Sequence, residues 1–363
     1  MALEARCKTT AMGIMPYTSI DEALELSLSL DIPYWPQLPR ISFYQDMFAQ
    51  TSQNFPGIEV DIENRRLRFD TARFQQELLD YSLKIDKAET FALTGEYASV
   101  YKRFLKASLS RYHAIRGQIA GPITLGFVTL DEEHKPIIYN AEVKGLLFDF
   151  VQRKANAQYH ELKKKNRNAF VWIDEPGLSF VFSGMYGYND YQAKEDYQEL
   201  LQGLDGPRGL HLCPNVNLPY LLQLGADILS FDAYQLGFMP KEYAGITAEF
   251  LKKGGIISWG IVPTEAAILA QETPETLATR LINYWEATSR SGKLSVGQIA
   301  EQSLLAPAKC SVKELRQKWA GDDDLGQTSQ DEPGAKKEVR AVNKAFGYLR
   351  EVSGIPKDRY DLE

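Results

Sequence analysis

Short apolar runs alternate with longer amphipathic stretches along most of the chain. The apolar runs are bounded by Gly, Pro or Asp, which is typical of strand ends. The predicted strands cover residues 11–15, 117–120, 169–173, 209–213, 227–231, 256–261 and 304–306. The predicted helices cover residues 20–30, 71–85, 97–109, 140–165, 191–204, 240–253 and 274–290. Strands that alternate with helices in this way predict parallel βαβ units.

Seven or eight such units favour a single α/β domain over residues 1–363, a closed (β/α)₈ TIM barrel. An open dinucleotide-binding sheet is not favoured, because no Gly-x-Gly-x-x-Gly follows the first strand. Two stretches depart from the pattern. Residues 56–70 alternate apolar and polar side chains and predict a small β-hairpin beside the barrel. Residues 320–335 are rich in Gly, Pro and Asp and predict a mobile loop before a final helix near 337–352.

Composition and charge narrow the class of protein. The chain has 363 residues, 44% of them hydrophobic, which is ample for one large core. Its net charge of −7 does not suggest a nucleic-acid partner. The basic cluster at 163–167 ends a predicted helix, where cations complement the helix dipole, so we interpret it as a solvated helix end. Without a signal-like N-terminus or a long apolar span, we expect a cytoplasmic protein with no membrane contact.

The chain contains three cysteines, Cys7, Cys213 and Cys310. So few argue against a disulfide framework and for metal binding or catalysis in a reducing compartment. His211 and Cys213 alternate at the end of a predicted strand and therefore share a face. Cys310 follows another strand-like run, at the end of a barrel where active sites form. Imidazole and thiolate are preferred zinc ligands. The alternative is three unconnected residues, since a buried cysteine is often inert.

Two further strand ends carry candidate residues. The strand at 169–173 delivers the adjacent carboxylates Asp174 and Glu175, only one of which can face the barrel mouth, and we expect this to be Asp174. The alternative is a helix-capping or loop carboxylate. After the strand at 117–120, Gly121 permits close approach of the backbone to a ligand. A tight strand-to-helix turn without ligand contact is the alternative there.

Taken in order, these motifs resemble a known family. They read Gly-Ile-Met-Pro at 13–16, Gly-Pro-Ile-Thr at 121–124, Ile-Asp-Glu-Pro at 173–176, His-Leu-Cys at 211–213, Ala-Asp-Ile-Leu-Ser-Phe-Asp at 226–232 and Pro-Ala-Lys-Cys at 307–310. The set is similar to the C-terminal barrel of cobalamin-independent methionine synthase and to the related corrinoid-linked methyltransferases. These proteins share a superfamily with uroporphyrinogen decarboxylase.

The resemblance implies a zinc-dependent methyltransferase with a small-molecule thiol as the methyl acceptor. Zinc would lower the pKa of the thiol, and the thiolate would attack a methyl group on a corrinoid or a folate. The implied zinc ligands are His211, Cys213, Cys310 and Asp232. For Asp232, the alternative is a carboxylate that orients His211. Asp174 would act in catalysis by contacting the amino group of the acceptor.

The implied substrate-binding residues are Asp174, Glu175, Gly13, Gly121 and Gln37. One departure from the family pattern concerns the methyl acceptor. Ile14 stands where the family has a serine that helps to hold the amino acid, which argues against homocysteine as the acceptor.

A second departure concerns the methyl donor. Residues 259–264 lack the family's histidine, which acts as general acid for a folate, and this favours a corrinoid donor. The chain contains no Asp-x-His-x-x-Gly corrinoid signature, so a cobalamin donor would arrive free or on a corrinoid protein.

Two other functions remain as alternatives. One is a lyase like uroporphyrinogen decarboxylase, although Arg40 is isolated where such an enzyme needs several arginines. The other is a non-catalytic barrel that binds a corrinoid, a metal or a thiol.

Overall fold

The computed structural model describes residues 3–182, 187–214, 217–310 and 332–362. Most of the predicted loop at 320–335 lies outside these residues. None of the helices within the described ranges is both long and apolar enough to span a bilayer.

Within the described ranges, seven parallel strands form one curled sheet, which resembles the sheet of a TIM barrel. In spatial order they are β1, β9, β8, β7, β6, β5 and β4, so from β4 onward each strand lies beside the next in sequence. The remaining two strands, β2 and β3, form an antiparallel hairpin. The strands are β1 (Lys8–Thr9), β2 (Ile58–Asp61), β3 (Arg66–Phe69), β4 (Ile115–Ala120), β5 (Ala169–Asp174), β6 (Arg208–Leu212), β7 (Ile228–Phe231), β8 (Ile256–Val262) and β9 (Ser303–Pro307).

The predicted α/β class and parallel sheet are confirmed, but the closed eight-stranded barrel is not. Between β1 and β4 the described chain has only single bridges, from Tyr34 to Arg116 and from Gln37 to Ile14. The segment that makes these bridges has proline at positions 33, 36 and 39. Because proline has no N–H, it cannot take part fully in a strand ladder. The predicted strand at 11–15 is wrong: β1 ends at Thr9, and beyond it only Ile14 forms a bridge, to Gln37.

Thirteen α-helices are present in the described residues, and most begin at a polar N-cap such as Ser19, Asp70, Asn140 or Thr273. They are α1 (Ile20–Leu28), α2 (Met47–Ser52), α3 (Thr71–Lys84), α4 (Ser99–Phe104), α5 (Pro122–Val128), α6 (Ala141–Lys163), α7 (Asp190–Gln202), α8 (Leu218–Leu221), α9 (Lys241–Lys252), α10 (Ala266–Leu269), α11 (Pro274–Gly292), α12 (Val296–Glu301) and α13 (Glu332–Tyr360).

The predicted helices agree with these bounds to within a few residues, except for the helix predicted at 97–109. There only α4 is α-helical, with 3₁₀ turns at Gly95–Ala98 and Leu109–Arg111. The predicted hairpin at 56–70 is confirmed by β2 and β3. The final helix already begins at Glu332, inside the segment predicted to be a loop.

Strand β5 separates two apolar layers. On β5, Ala169, Val171 and Ile173 belong to the large core between the sheet and the helices. Phe170 and Trp172 point to the opposite side, into a smaller cluster that fills the concave interior of the sheet. This alternation continues to Asp174, the last residue of the strand. The polar side chain of Asp174 therefore follows the apolar side chains of Phe170 and Trp172 on the same face of β5.

Lys154 is a buried cation on α6 without an acidic partner among the described residues. Its side chain is 3% exposed, and its Nζ donates to the Gln53 carbonyl over 2.9 Å and lies 5.3 Å from the centre of the Phe150 ring. Burial lowers the pKa of Lys154 to about 7. The unfolded chain, with a lysine pKa of about 10.4, binds more protons between these values, so stability rises with pH across this window.

We expect Lys154→Met to raise the free energy of unfolding at pH 7 by about 2 kcal/mol, because a neutral chain of similar length avoids the cost of burying a charge. We also expect the stability of the variant to change less than that of the wild type between about pH 7 and pH 10. Urea unfolding at both pH values measures this. Equal pH dependence in the two proteins would contradict the assignment.

Candidate active site

Asp174 lies at the C-terminal end of β5, in register with Ala120 on β4 and His211 on β6. Its side chain is 6% exposed, and neither carboxyl oxygen has a hydrogen-bond partner within the described residues. Burial raises the pKa of Asp174 to about 7, and the charge of Arg116 acts in the opposite direction. A buried carboxyl without a partner is costly. It is therefore suited to accept a donor or a cation from a ligand.

Glu175 turns away from the mouth and caps a helix. Its carboxylate accepts hydrogen bonds from the backbone N–H of Ile123 (3.1 Å) and of Thr124 (2.6 Å), and from the Thr124 hydroxyl. These groups belong to the first turn of α5, where backbone donors lack partners within the helix. Burial raises the pKa of Glu175 to about 7, against the effect of these hydrogen bonds. The alternative of a helix-capping carboxylate therefore describes Glu175, and not Asp174.

Gly121 lies directly against this carboxylate, because a Cβ atom at position 121 would collide with Glu175. We expect Gly121→Ala to lower the free energy of unfolding by about 3 kcal/mol, since the carboxylate would have to leave the end of α5. Gly145→Ala is the control, because nothing lies within 4 Å of a Cβ added there on α6. It should raise stability by up to about 1 kcal/mol through helix propensity. Equal effects of both changes would contradict the proposed packing.

The His211 imidazole is held on one face by Trp172 and has a polar contact at each of its nitrogens. Nδ1 lies 2.9 Å from the Ser230 hydroxyl, and Nε2 lies 2.8 Å from Cys213 Sγ. The Trp172 indole stacks on the ring at 5.8 Å, in space that is available because position 209 is glycine. Burial, aided by the charge of Arg116, lowers the pKa of His211 to about 3. The imidazole is therefore neutral at physiological pH, the form that ligates metals.

The two predicted thiols meet at the mouth although they lie on distant parts of the chain. A hydrogen bond with Cys310, together with burial, raises the pKa of the Cys213 thiol well above its usual value. The backbone carbonyl of Cys213 also accepts a hydrogen bond from Gln235 Nε2 over 2.8 Å. The same amide nitrogen donates to the Asp232 carbonyl over 3.1 Å. Gln235 was not predicted, and it ties the segments after β6 and β7 together.

Asp232 directly follows β7 and is 5% exposed. Its Oδ1 accepts a hydrogen bond from the Gln235 backbone N–H over 3.1 Å. Burial raises the pKa of Asp232 to about 6, and the positive charge of Lys309 acts against it. Since Nδ1 of His211 contacts Ser230, the role of orienting His211 that we considered for Asp232 belongs to the serine.

The atoms around His211 are of the types that bind zinc: one imidazole nitrogen and two thiol sulfurs. His211 contacts Cys213, and Cys213 contacts Cys310. In a tetrahedral zinc site, an N and an S ligand would lie about 3.5 Å apart. Because Nε2 of His211 and Sγ of Cys213 are 2.8 Å apart, they would have to separate to hold a metal. In the described parts of the chain, no three His, Cys, Asp or Glu side chains already have a metal-binding arrangement.

Gly13 and Gln37 lie together at the seam between β1 and β4. Gln37 is 1% exposed, its Nε2 donates to Gln50 over 2.9 Å, and its Oε1 has no partner in the described residues. A Cβ at position 13 would lie 2.6 Å from Gln118 and 2.7 Å from Gln37 Oε1. The glycine is therefore needed for these amides to pack. The unpaired oxygen of Gln37 is a second acceptor, besides Asp174, that is available to a ligand.

Arg116 is a fully buried cation that the sequence analysis missed. Its guanidinium lies 3.9 Å from the centre of the Trp172 ring and 4.9 Å from that of Tyr34. It donates to Thr10 Oγ1 and Gln118 Oε1, and burial lowers its pKa to about 10, so it stays charged at neutral pH. The sequence offered one signal for Arg116: it is a charged residue directly before the apolar run predicted as a strand at 117–120. The predicted strand began one position later, at 117, and excluded it.

No protein-family profile matches the sequence, and no curated protein is similar to it. Several solved structures are similar to this chain over most of its length. One is a B12-independent methionine synthase from Shewanella sp. W3-18-1 in complex with selenomethionine, with 12% identity, a TM-score of 0.50, and 94% of this chain and 89% of that chain covered. Another is a putative vitamin-B12 independent methionine synthase from Listeria monocytogenes, with 14% identity, a TM-score of 0.47 and coverage of 90% and 85%. At such low identity, the likeness to the Shewanella protein shows the fold alone.

Proposed function

We propose that this protein is a methyltransferase that moves a methyl group from a corrinoid or folate donor to the thiol of a small molecule. The observation that carries the proposal is the buried, unpartnered carboxyl of Asp174 beside the His211–Cys213–Cys310 contacts. The motifs that resemble methionine synthase and the shared fold support it.

In this proposal, His211, Cys213 and Cys310 hold one zinc ion, and Asp232 is a candidate fourth ligand. A zinc ion bound there would lower the pKa of a coordinated thiol, so that the acceptor is a thiolate at neutral pH. Ser230 fixes the orientation of the imidazole. In the tautomer with the proton on Nδ1, the Nδ1–H group donates a hydrogen bond to the Ser230 hydroxyl, and the lone pair of Nε2 is directed toward Cys213.

Asp174 binds and orients the acceptor. An ammonium or other cationic group on the acceptor would pair with the carboxylate and lower its raised pKa, because an opposite charge favours the ionised form. Gln37 Oε1 offers a second buried acceptor. The acceptor sulfur then attacks the methyl carbon: the S–C bond forms, the bond between methyl and donor breaks, and its electron pair remains on the donor.

A corrinoid donor is favoured over a folate. A folate needs a proton on its leaving nitrogen, and residues 259–264, Trp-Gly-Ile-Val-Pro-Thr, supply no histidine for it. A corrinoid leaves without such help. The donor would be free cobalamin or a corrinoid carried by a partner protein, because the sequence has no corrinoid-binding signature.

The test is a methyl-transfer assay with purified, zinc-reconstituted protein. Methylcobalamin and methyltetrahydrofolate are each offered with a panel of thiols that either carry or lack an amino group. We expect turnover with methylcobalamin, a preference for aminothiols and little product from the folate. Stoichiometric binding of a donor without turnover would replace the proposal with the non-catalytic alternative. Turnover with methyltetrahydrofolate alone would overturn the corrinoid assignment.

A further inference from the structure

An open cleft lies at the opposite end of the sheet from Asp174, where β4 and β5 begin. Its volume is about 690 Å³, and it is lined by the C-terminal end of α6, the segment that leads into β5 and residues just before β4. Since β5 has six residues, the cleft lies on the order of 20 Å from the proposed active site. We call it the basic cleft.

Four cations line the basic cleft, Lys163, Lys164, Lys165 and Arg167, against one carboxylate, that of Glu4. All four are exposed, and none forms an ion pair with an acidic residue in the described part of the chain. This is unusual in a chain whose net charge is −7. From the sequence we interpreted these cations as a solvated helix end, but Lys165 and Arg167 lie beyond Lys164, the C-cap of α6.

The walls of the basic cleft are held by two side-chain amides, those of the buried Asn166 and the half-buried Asn168. Asn166 Nδ2 donates to the carbonyls of Leu109 (3.0 Å) and Tyr112 (2.8 Å), and Asn168 Nδ2 donates to that of His113 (2.8 Å). These bonds fix the segment before β4 against the segment before β5. The cations are therefore presented on a rigid support, which lowers the cost of ordering on binding.

Two polar atoms at this cleft lack a partner. His113 Nε2 and Asn168 Oδ1 are both buried, and neither has a hydrogen bond within the described residues. Buried polar atoms are normally paired, and each exception calls for an explanation such as an absent ligand. His113 is remote from the basic run in sequence, because it lies just before β4, whereas Asn168 directly follows Arg167.

We propose that the basic cleft binds a small molecule with two or more phosphate groups. Several unpaired cations on one wall match a ligand with several negative charges, and arginine pairs with phosphate through two parallel hydrogen bonds. The volume lies within the range of small-molecule sites. A nucleic acid would need a longer basic surface than this single cleft.

Inorganic tripolyphosphate is the probe, and calorimetric titration measures its affinity for the full-length protein without added metal or thiol. We expect about one site per chain in the wild type. Lys164→Glu/Arg167→Glu should weaken binding at least about tenfold, because two charge-assisted contacts are reversed. The matched control is Lys252→Glu/Lys253→Glu, which makes the same charge change at the exposed C-terminal end of α9. It should change the affinity less than about twofold.

Three results would overturn the proposal: no binding by the wild type at millimolar tripolyphosphate, equal weakening in the control variant, or tighter binding of a single-stranded RNA oligonucleotide through the same residues. Circular dichroism of each variant checks that the fold is retained. Because the titration requires no methyl transfer, its outcome is independent of the proposed enzymatic activity.

Discussion

Replacing Cys310 by alanine is expected to remove bound zinc and methyl transfer together. The wild type, purified without added metal, should contain about one zinc per chain, and the variant should contain less than about a tenth of that. Loss of one of three strong ligands leaves only His211 and Cys213, which contact each other over 2.8 Å. Turnover should fall by more than about 100-fold, since changes even to residues behind the ligands cost 10- to 100-fold.

Cys7→Ala is the matched control for this experiment. Cys7 is also a buried thiol, but it lies just before β1 and donates to the Ala300 carbonyl, away from the mouth. Its removal should leave zinc content and turnover unchanged. Zinc is measured by elemental analysis after dialysis. Equal zinc in wild type and Cys310→Ala, or no zinc in reconstituted wild type, would rule out the proposed ligand set.

Asp174→Asn is expected to lower activity while it raises stability. The amide has the same shape but cannot pair as an anion with a cationic acceptor, so kcat/KM for an aminothiol should fall about 100-fold or more. The same change removes a buried carboxyl that has no partner in the described residues, and the free energy of unfolding should rise by about 1–2 kcal/mol. If Asp174 had only a structural role, its replacement would not lower kcat/KM while raising the free energy of unfolding.

The pH dependence of stability gives a second measure of Asp174. Its pKa in the folded state is about 7, above the value near 3.9 of the unfolded chain. The folded state therefore binds more protons between about pH 4 and pH 7, and stability decreases as pH rises through that window. The gain in stability of Asp174→Asn should accordingly be larger at pH 7 than at pH 5. A gain that is independent of pH would contradict the raised pKa.

Glu175→Gln is the control for these measurements, because Glu175 is the adjacent residue and is also buried. It should lose stability, since an amide offers fewer acceptors to the Ile123 and Thr124 N–H groups at the start of α5. Its activity should change much less than that of Asp174→Asn. Kinetics with an aminothiol and urea unfolding distinguish the two carboxyls.

Periodicity and strand-end composition were sufficient to predict most of the elements of this fold. Polar caps such as Thr273 followed by Pro274, and apolar runs such as 169–173, are local signals that depend on nearby residues alone. The hairpin at 58–69 was predicted for the same reason. Local signals were weakest around 11–15 and 33–39, where prolines and short pairing segments make a strand depend on its neighbour.

The order of the motifs also located the mouth, since carboxyl ends of parallel strands lie at one edge of a sheet. Strand alternation allowed only one of Asp174 and Glu175 to face the mouth, and Asp174 was the one expected. Alternation says nothing beyond the last strand residue, however. The turn after β5 directs Glu175 toward α5, because the free N–H groups of that helix bind its carboxylate.

The sequence by itself determined most of the elements, the face on which Asp174 lies and the types of donor atom at the strand ends. Tertiary structure alone decided that Cys213 meets Cys310, that Ser230 and not Asp232 contacts His211, and that Arg116 is buried beneath the mouth. It also decided that the sheet formed by the described residues has seven strands instead of eight. The physical reason is that hydrogen bonds and charges act over a few ångströms in space, between residues whose separation along the chain carries no information about that distance.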